Sequence, residues 1–152
     1  MRQPRRYSNN LVGSGLPGST RAGAGRAEGS DTRSRQHLGK ASERLAATFL
    51  TLNGYRVEQM NARFPVGEID IVAWEGQTLC FVEVRATSSS DWGGPLATID
   101  GRKRRHLIRA AQWYLARLRM LPPETRFDVV AVTWETAGKP SLELIRGAFD
   151  AS

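Results

Sequence analysis

Two apolar segments, 67–74 (GEIDIVAW) and 78–85 (TLCFVEVR), are separated only by Glu75-Gly76-Gln77. Runs of this length, rich in Ile and Val and bounded by turn residues, read as strands, and the short gap predicts an antiparallel hairpin. Few polar residues interrupt either run, so both faces of the hairpin are expected to be covered, as in a central sheet. The exceptions are acidic. Asp70 and Glu83 lie thirteen residues apart, and a turn centred between Gly76 and Gln77 sets them opposite each other on one face. The same register sets Glu68 opposite Arg85.

Opposed residues of an antiparallel pair have Cβ atoms about 4.5 to 5.5 Å apart. Two carboxylates at that separation repel unless a cation or a proton lies between them, and a buried face is no place for acids that serve only solubility. With one cysteine, Cys80, and two histidines, His37 and His106, neither a multi-cysteine zinc site nor a histidine cage is available. Oxygen ligands in such a pair suit Mg²⁺ or Mn²⁺, which bind through one or two carboxylates plus a substrate phosphate. Such an ion polarises a phosphoryl oxygen and activates water for attack on a phosphodiester. Glu43, off the apolar stripe of the first helix, is the natural third acid. A structural ion network with Arg85 would account for Asp70 and Glu83 as well, and a solvated helix position would account for Glu43.

Around the hairpin the elements follow in the order α-β-β-β-α-β-β. Leu38, Leu45, Phe49 and Leu52 recur at helical spacing before the Asn53-Gly54 stop, and 55–61 reads as a strand. After a loop rich in Ser, Gly and Pro, Asp100 is placed to cap a second helix. Its face of Leu107, Ala111, Tyr114, Leu115 and Leu118 runs to about Met120, before Pro122-Pro123. Segments 126–135 and 141–149 are the last strands. The 152 residues fit a single domain, and no apolar run approaches the ~18 residues of a membrane span. A soluble, cytoplasmic protein is expected.

The chain carries 22 Lys and Arg against 15 Asp and Glu, a formal charge of +7. Seven arginines fall within residues 1–36, a stretch of Gly, Ser and Pro nearly empty of large apolar residues, which reads as a disordered basic tail preceding a domain at 37–152. A second concentration, Arg102, Lys103, Arg104 and Arg105, opens the second helix at the end where the helix dipole disfavours positive charge. A nucleic-acid backbone would compensate it. Trp92, in the preceding loop, could stack on an unpaired base. A solvated basic face and a packed loop tryptophan are the plainer alternatives.

Gly39 and Glu43, Asn61, Gly67-Glu68-Ile69-Asp70, Phe81-Val82-Glu83-Val84-Arg85, Lys103, Arg126-Phe127-Asp128-Val129-Val130 and Ala148-Phe149 together resemble the YraN family of uncharacterised bacterial proteins. The resemblance spans about residues 38 to 149. That family is similar to the PD-(D/E)XK nucleases and to Holliday-junction resolvases, in which a helix acid, a strand aspartate and an E-x-K strand hold the catalytic metal. It implies a restriction-endonuclease-like α/β fold, a mixed sheet flanked by helices, with Glu43, Asp70, Glu83 and Arg85 at the catalytic positions. Arg85 departs from that pattern. It stands where the superfamily has lysine, and a guanidinium cannot act as a general base. Lys103 is the candidate to supply the missing ammonium.

The expected function is therefore metal-dependent nuclease-like action on DNA, branched or structured DNA included. A DNA-binding module of the same fold without hydrolysis, and a protein-interaction adaptor, are the alternatives. Resolvase-like proteins often act as dimers, so the resemblance allows a homodimer, although no self-complementary surface is legible.

Overall fold

The computed structural model describes residues 6–9, 27–88, 99–135 and 139–151. Strand β1 spans Arg6–Asn9 and helix α1 spans Ala27–Leu52. Strands β2 (Arg56–Phe64), β3 (Gly67–Glu75) and β4 (Thr78–Ser88) follow, then helix α2 (Gly101–Leu115), β5 (Glu124–Trp134) and β6 (Ser141–Phe149). Five long strands and the short β1 form one mixed sheet in the order β1-β6-β5-β4-β3-β2. Among the described strands only β4 and β5 run parallel, and a parallel pair needs a crossover connection, which α2 provides.

The sheet is covered on both faces, as the apolar hairpin requires. On one side Ala46, Phe49 and Leu50 of α1 pack on Ile71, Ala73, Val82, Val130 and Val132. On the other, Leu107, Ala110 and Ala111 of α2 pack on Val72, Leu79, Phe81 and Phe127. The predicted α1 stripe is displaced. Leu38 and Leu52 are exposed, and the buried positions are Ser42, Ala46, Phe49 and Leu50. Ser42 hides in that face because its hydroxyl is satisfied, donating to the Leu38 carbonyl at 2.7 Å and accepting from the Trp134 indole at 2.9 Å.

Two boundaries also differ. α1 starts at Ala27 and β1 pairs antiparallel with β6, so the stretch 1–36 contains a strand and the first turns of a helix. α2 ends at Leu115 rather than near Met120. There the Arg117 and Leu118 amides bond to Tyr114 and Leu115, three residues back, a tightening that closes a helix. Among the described residues no helix is long and apolar enough to cross a membrane.

Candidate functional site

The β3–β4 register follows the predicted hairpin from Glu75↔Thr78 to Ile71↔Val82. Pairing stops one step short of Asp70 and Glu83. At that point the Asp70 carboxylate takes over the role of a ladder carbonyl, accepting the Val84 amide at 2.8 Å. Glu68 does not face Arg85 as expected, because it pairs with Arg63 of β2, at 3.0 Å.

Glu83 is almost wholly buried at 2% exposure. One oxygen, Oε1, lies 3.0 Å from Lys103 Nζ and 3.6 Å from Arg85. The other, Oε2, is buried without a hydrogen-bond partner. A buried charge with an unmatched oxygen is costly. Asp70 experiences the same field: burial first, and the Glu83 charge second, push its pKa from 3.8 up to about 7, against the opposing Val84 amide and Lys103 ammonium. Four of the expected residues, Asp70, Glu83, Arg85 and Lys103, thus come together.

Lys103 reaches Glu83 because of its helical phase. It lies one turn before Leu107 on the buried side of α2, whereas Arg102 and Arg105 fall on the opposite side and are exposed. Arg104 turns elsewhere again. Its Nε donates to the Ile99 carbonyl at 3.1 Å and its guanidinium lies 5.5 Å from the Phe149 ring. The Asp100 side chain accepts the Lys103 amide at 2.8 Å, which caps the helix as expected and holds this carboxyl below its usual range. The basic run thus divides into one lysine at the acids, one arginine against the sheet and two at the surface.

Glu43 lies apart from the acidic pair. Its charge is the smallest of the influences on Asp70, and among the described residues no group of three His, Cys, Asp or Glu is poised to hold a metal. It lines a cleft of about 760 Å³ between α1 and the β2–β3 hairpin, with Lys40, Arg44, Asn61, Arg63 and Glu68. Asn61 is at φ 52°, a left-handed conformation that asparagine tolerates better than most residues. Lys40, Arg44 and Arg63 were not anticipated as cleft residues. The signal for the first two was present, since Lys40, Glu43 and Arg44 share one face by their spacing of three and four. Trp92 lies outside the described residues.

At the opposite end of the hairpin a second polar cluster is fully satisfied. Asp128, wholly buried, accepts from Arg126 Nε at 2.7 Å, the Gly147 amide at 2.9 Å and the Tyr55 hydroxyl at 3.2 Å. Arg126 also bonds Glu75 at 2.7 Å, and Arg146 completes the cluster by pairing with Glu75. Every carboxylate there has a cation or donor, so this end ties β3, β5 and β6 together. The contrast leaves the Asp70–Glu83 end, where a buried carboxylate oxygen lacks a partner, as the candidate site.

A model of the uncharacterised protein family UPF0102 matches residues 42–132, which include Glu43, Asp70, Glu83, Arg85 and Lys103. A UPF0102 protein of Symbiobacterium thermophilum is 44% identical over 116 residues, covering 76% of this chain and 98% of its own. One from Moorella thermoacetica is 43% identical over 119 residues, 78% of this chain and 99% of its own. Another, from Anaeromyxobacter sp., is 44% identical over 126 residues, 83% of this chain and 92% of its own. The matched span thus takes in β2, β3, β4, α2, most of β5 and the acidic end of the hairpin, and the chain belongs to the uncharacterised protein family UPF0102.

Proposed function

We propose that this chain is a metal-dependent nuclease-like protein of restriction-endonuclease-like fold that acts on phosphodiesters of DNA, branched or structured DNA included. The observation that carries this reading is Glu83 Oε2, a buried carboxylate oxygen with no partner, beside a second buried acid whose proton affinity it raises. Unbalanced acidity of this kind fits a hard divalent cation, Mg²⁺ or Mn²⁺, held by Asp70 and Glu83. Such an ion, when bound, supplies positive charge to phosphoryl oxygens and acidity to an attacking water.

The chain's own groups have separate tasks. Lys103 sits on Glu83 through one oxygen only, leaving ammonium protons free to reach a phosphate and stabilise its developing charge. It places an amine where the sequence position of Arg85 offers a guanidinium. Arg85, about a third exposed and 3.6 Å from Glu83, holds that carboxylate and can meet a phosphate oxygen, but it moves no proton. Arg102 and Arg105 present charge to the nucleic-acid backbone. Glu43, in the adjoining cleft, is an auxiliary acid that acts on Asp70 through its charge.

Cleavage of supercoiled and branched DNA by the purified protein with Mg²⁺ or Mn²⁺, against Asp70→Asn, tests the reading. Loss of cleavage in the variant is the expected result, and unchanged cleavage overturns it. Calorimetric titration of either metal, with and without a short duplex, examines the acids independently of substrate choice. A second reading, a DNA-binding module without hydrolysis, is favoured by Arg85 in the lysine position. It predicts salt-sensitive DNA binding with no cleavage under either metal.

A further inference from the structure

We propose that the exposed face of α2 is a track for single-stranded nucleic acid, in which an unpaired base enters a cleft between Trp113 and Val66 while Arg102, Arg105 and Arg109 hold its backbone. This rests on the nucleic-acid reading above but needs neither the acids nor a metal.

The face follows from helical phase. Positions 102, 105, 109, 113 and 116 succeed one another at three- and four-residue steps and so share one stripe. Leu107, Ala110 and Ala111 occupy the opposite, buried side. The stripe carries three arginines, and α2 contains no Asp or Glu. From Arg102 to Trp113 it extends roughly 16 Å at 1.5 Å per residue, a span of two to three nucleotides of an extended strand.

At its far end the stripe changes character. Trp113 is 45% exposed, an unusual state for an indole whose neighbours on the helix find places in the core. Tyr114, the next residue, packs edge-on against Phe81 and Phe64. Trp113 instead lines a cleft of about 450 Å³ with Val66, Arg109, Gln112 and Ala116. The lining is mostly apolar, with one guanidinium and one amide at its rim. Just beyond Ala116 in the chain, Arg117 lies 4.9 Å from the Phe64 ring. The opposite wall, at Val66, belongs to the tight turn between β2 and β3. The adjoining Gly67, at φ 151°, runs close to His106 of α2, so turn and helix are held at a fixed spacing.

An apolar slot with a flat aromatic wall, approached along a line of arginines, suits a nucleobase joined to phosphates. Stacking supplies affinity without sequence preference, and arginine neutralises the backbone. A paired base cannot enter such a slot. The partner is thus an unpaired stretch, and Gln112 at the rim can bond the base edge.

Fluorescence anisotropy of labelled oligothymidine and of a blunt duplex, titrated with the full chain, tests the inference. Trp113→Ala should weaken the single strand roughly tenfold or more with little change for the duplex. Trp113→Phe should restore most of the loss, and Arg109→Ala should weaken both while reducing the salt slope by about one. An oligouridine of the same length shows whether a ribose is admitted. Dependence on Trp113 in either single strand supports the track, and dependence in neither overturns it. Equal weakening of strand and duplex by Trp113→Ala also overturns it, as does a change of oligomeric state on that substitution with strand affinity unaltered. Asp70→Asn separates the two proposals. Trp113-dependent strand binding without metal-dependent cleavage leaves the track standing and removes the nuclease, whereas metal-dependent cleavage lost in Asp70→Asn, beside strand binding indifferent to Trp113, does the reverse.

Discussion

Lys103 Nζ lies 3.0 Å from Glu83 Oε1, joining the first turn of α2 to the middle of β4, while the other oxygen of the same carboxylate has no partner. The two residues are not equivalent in this pair. Glu83 is buried, but the Lys103 side chain is 39% exposed, so the lysine can be rehydrated on losing its partner and the glutamate cannot.

Lys103→Met should therefore destabilise the fold by about 1–2 kcal/mol. This lies below the usual cost of breaking a buried pair, because water reaches the lysine and Arg85 remains near Glu83. Glu83→Gln, which removes the buried charge, should be nearly neutral or stabilising. Adding Glu83→Gln to Lys103→Met should recover most of the loss. Urea unfolding of both single variants and the double variant measures the coupling, and equal losses from the two single changes would contradict this picture.

Stability should depend on pH through Asp70. Its folded pKa is raised to about 7 from 3.8, so between these values the folded chain holds a proton that the unfolded chain has released. The unfolded state gains with rising pH, and stability falls from about pH 4 to pH 7 and then levels. Asp70→Asn keeps an oxygen for the Val84 amide but removes the titration. It should be more stable than the parent at pH 8, by a few kcal/mol at most, and close to it at pH 4. Denaturation midpoints across that range decide the matter. Saturating Mg²⁺ should flatten the parent's slope if the cation replaces the proton.

Asp128 offers the opposite case, a buried carboxylate whose bonds are all made. Asp128→Ala removes the acceptor shared by Arg126, the Gly147 amide and Tyr55 and leaves the Arg126 guanidinium with Glu75 as its remaining carboxylate. The expected loss is about 3–5 kcal/mol. Tyr55→Phe, which deletes only a hydroxyl, should lose about 1 kcal/mol. Chemical denaturation of the two variants tests the ratio.

Cys80 is buried next to this cluster. Burial, with the Asp128 charge adding to it, pushes the thiol pKa up to about 12. The native protein should leave a thiol-reactive disulfide reagent unconsumed at pH 8 and react with one equivalent once unfolded. Rapid labelling without denaturant would mean that β4 opens locally.

The sheet was legible from period and turn chemistry. GEIDIVAW and TLCFVEVR are continuous apolar runs around a glycine turn, and their register is fixed by the side-chain alternation that both faces of the sheet demand. Asp70, Glu83 and Lys103 could be singled out for the same reason, as polar residues inside apolar patterns. The pairing of Glu68 was not legible, because a hairpin register assumes that the strands stay paired, and β3 leaves β4 at Asp70 to continue beside β2. Hydrophobicity alone sets the α1 stripe at Leu38 and Leu52, because it passes over Ser42, whose burial depends on an indole ninety-two residues away. Nothing in the sequence singles out Trp113, because an aromatic at helical spacing ordinarily belongs to the core, and only packing shows that it does not.

The single parallel seam of the sheet has a consequence for how the protein comes into being. Thr78 and Glu124, which meet at its start, are 46 residues apart in the chain, and Glu83 and Lys103 both lie within that interval. Hairpins can zip locally, but this seam waits for the whole excursion to return. A nascent chain released before the crossover docks would hold Glu83 without the Lys103 ammonium, so that ion pair and the finished fold arrive together.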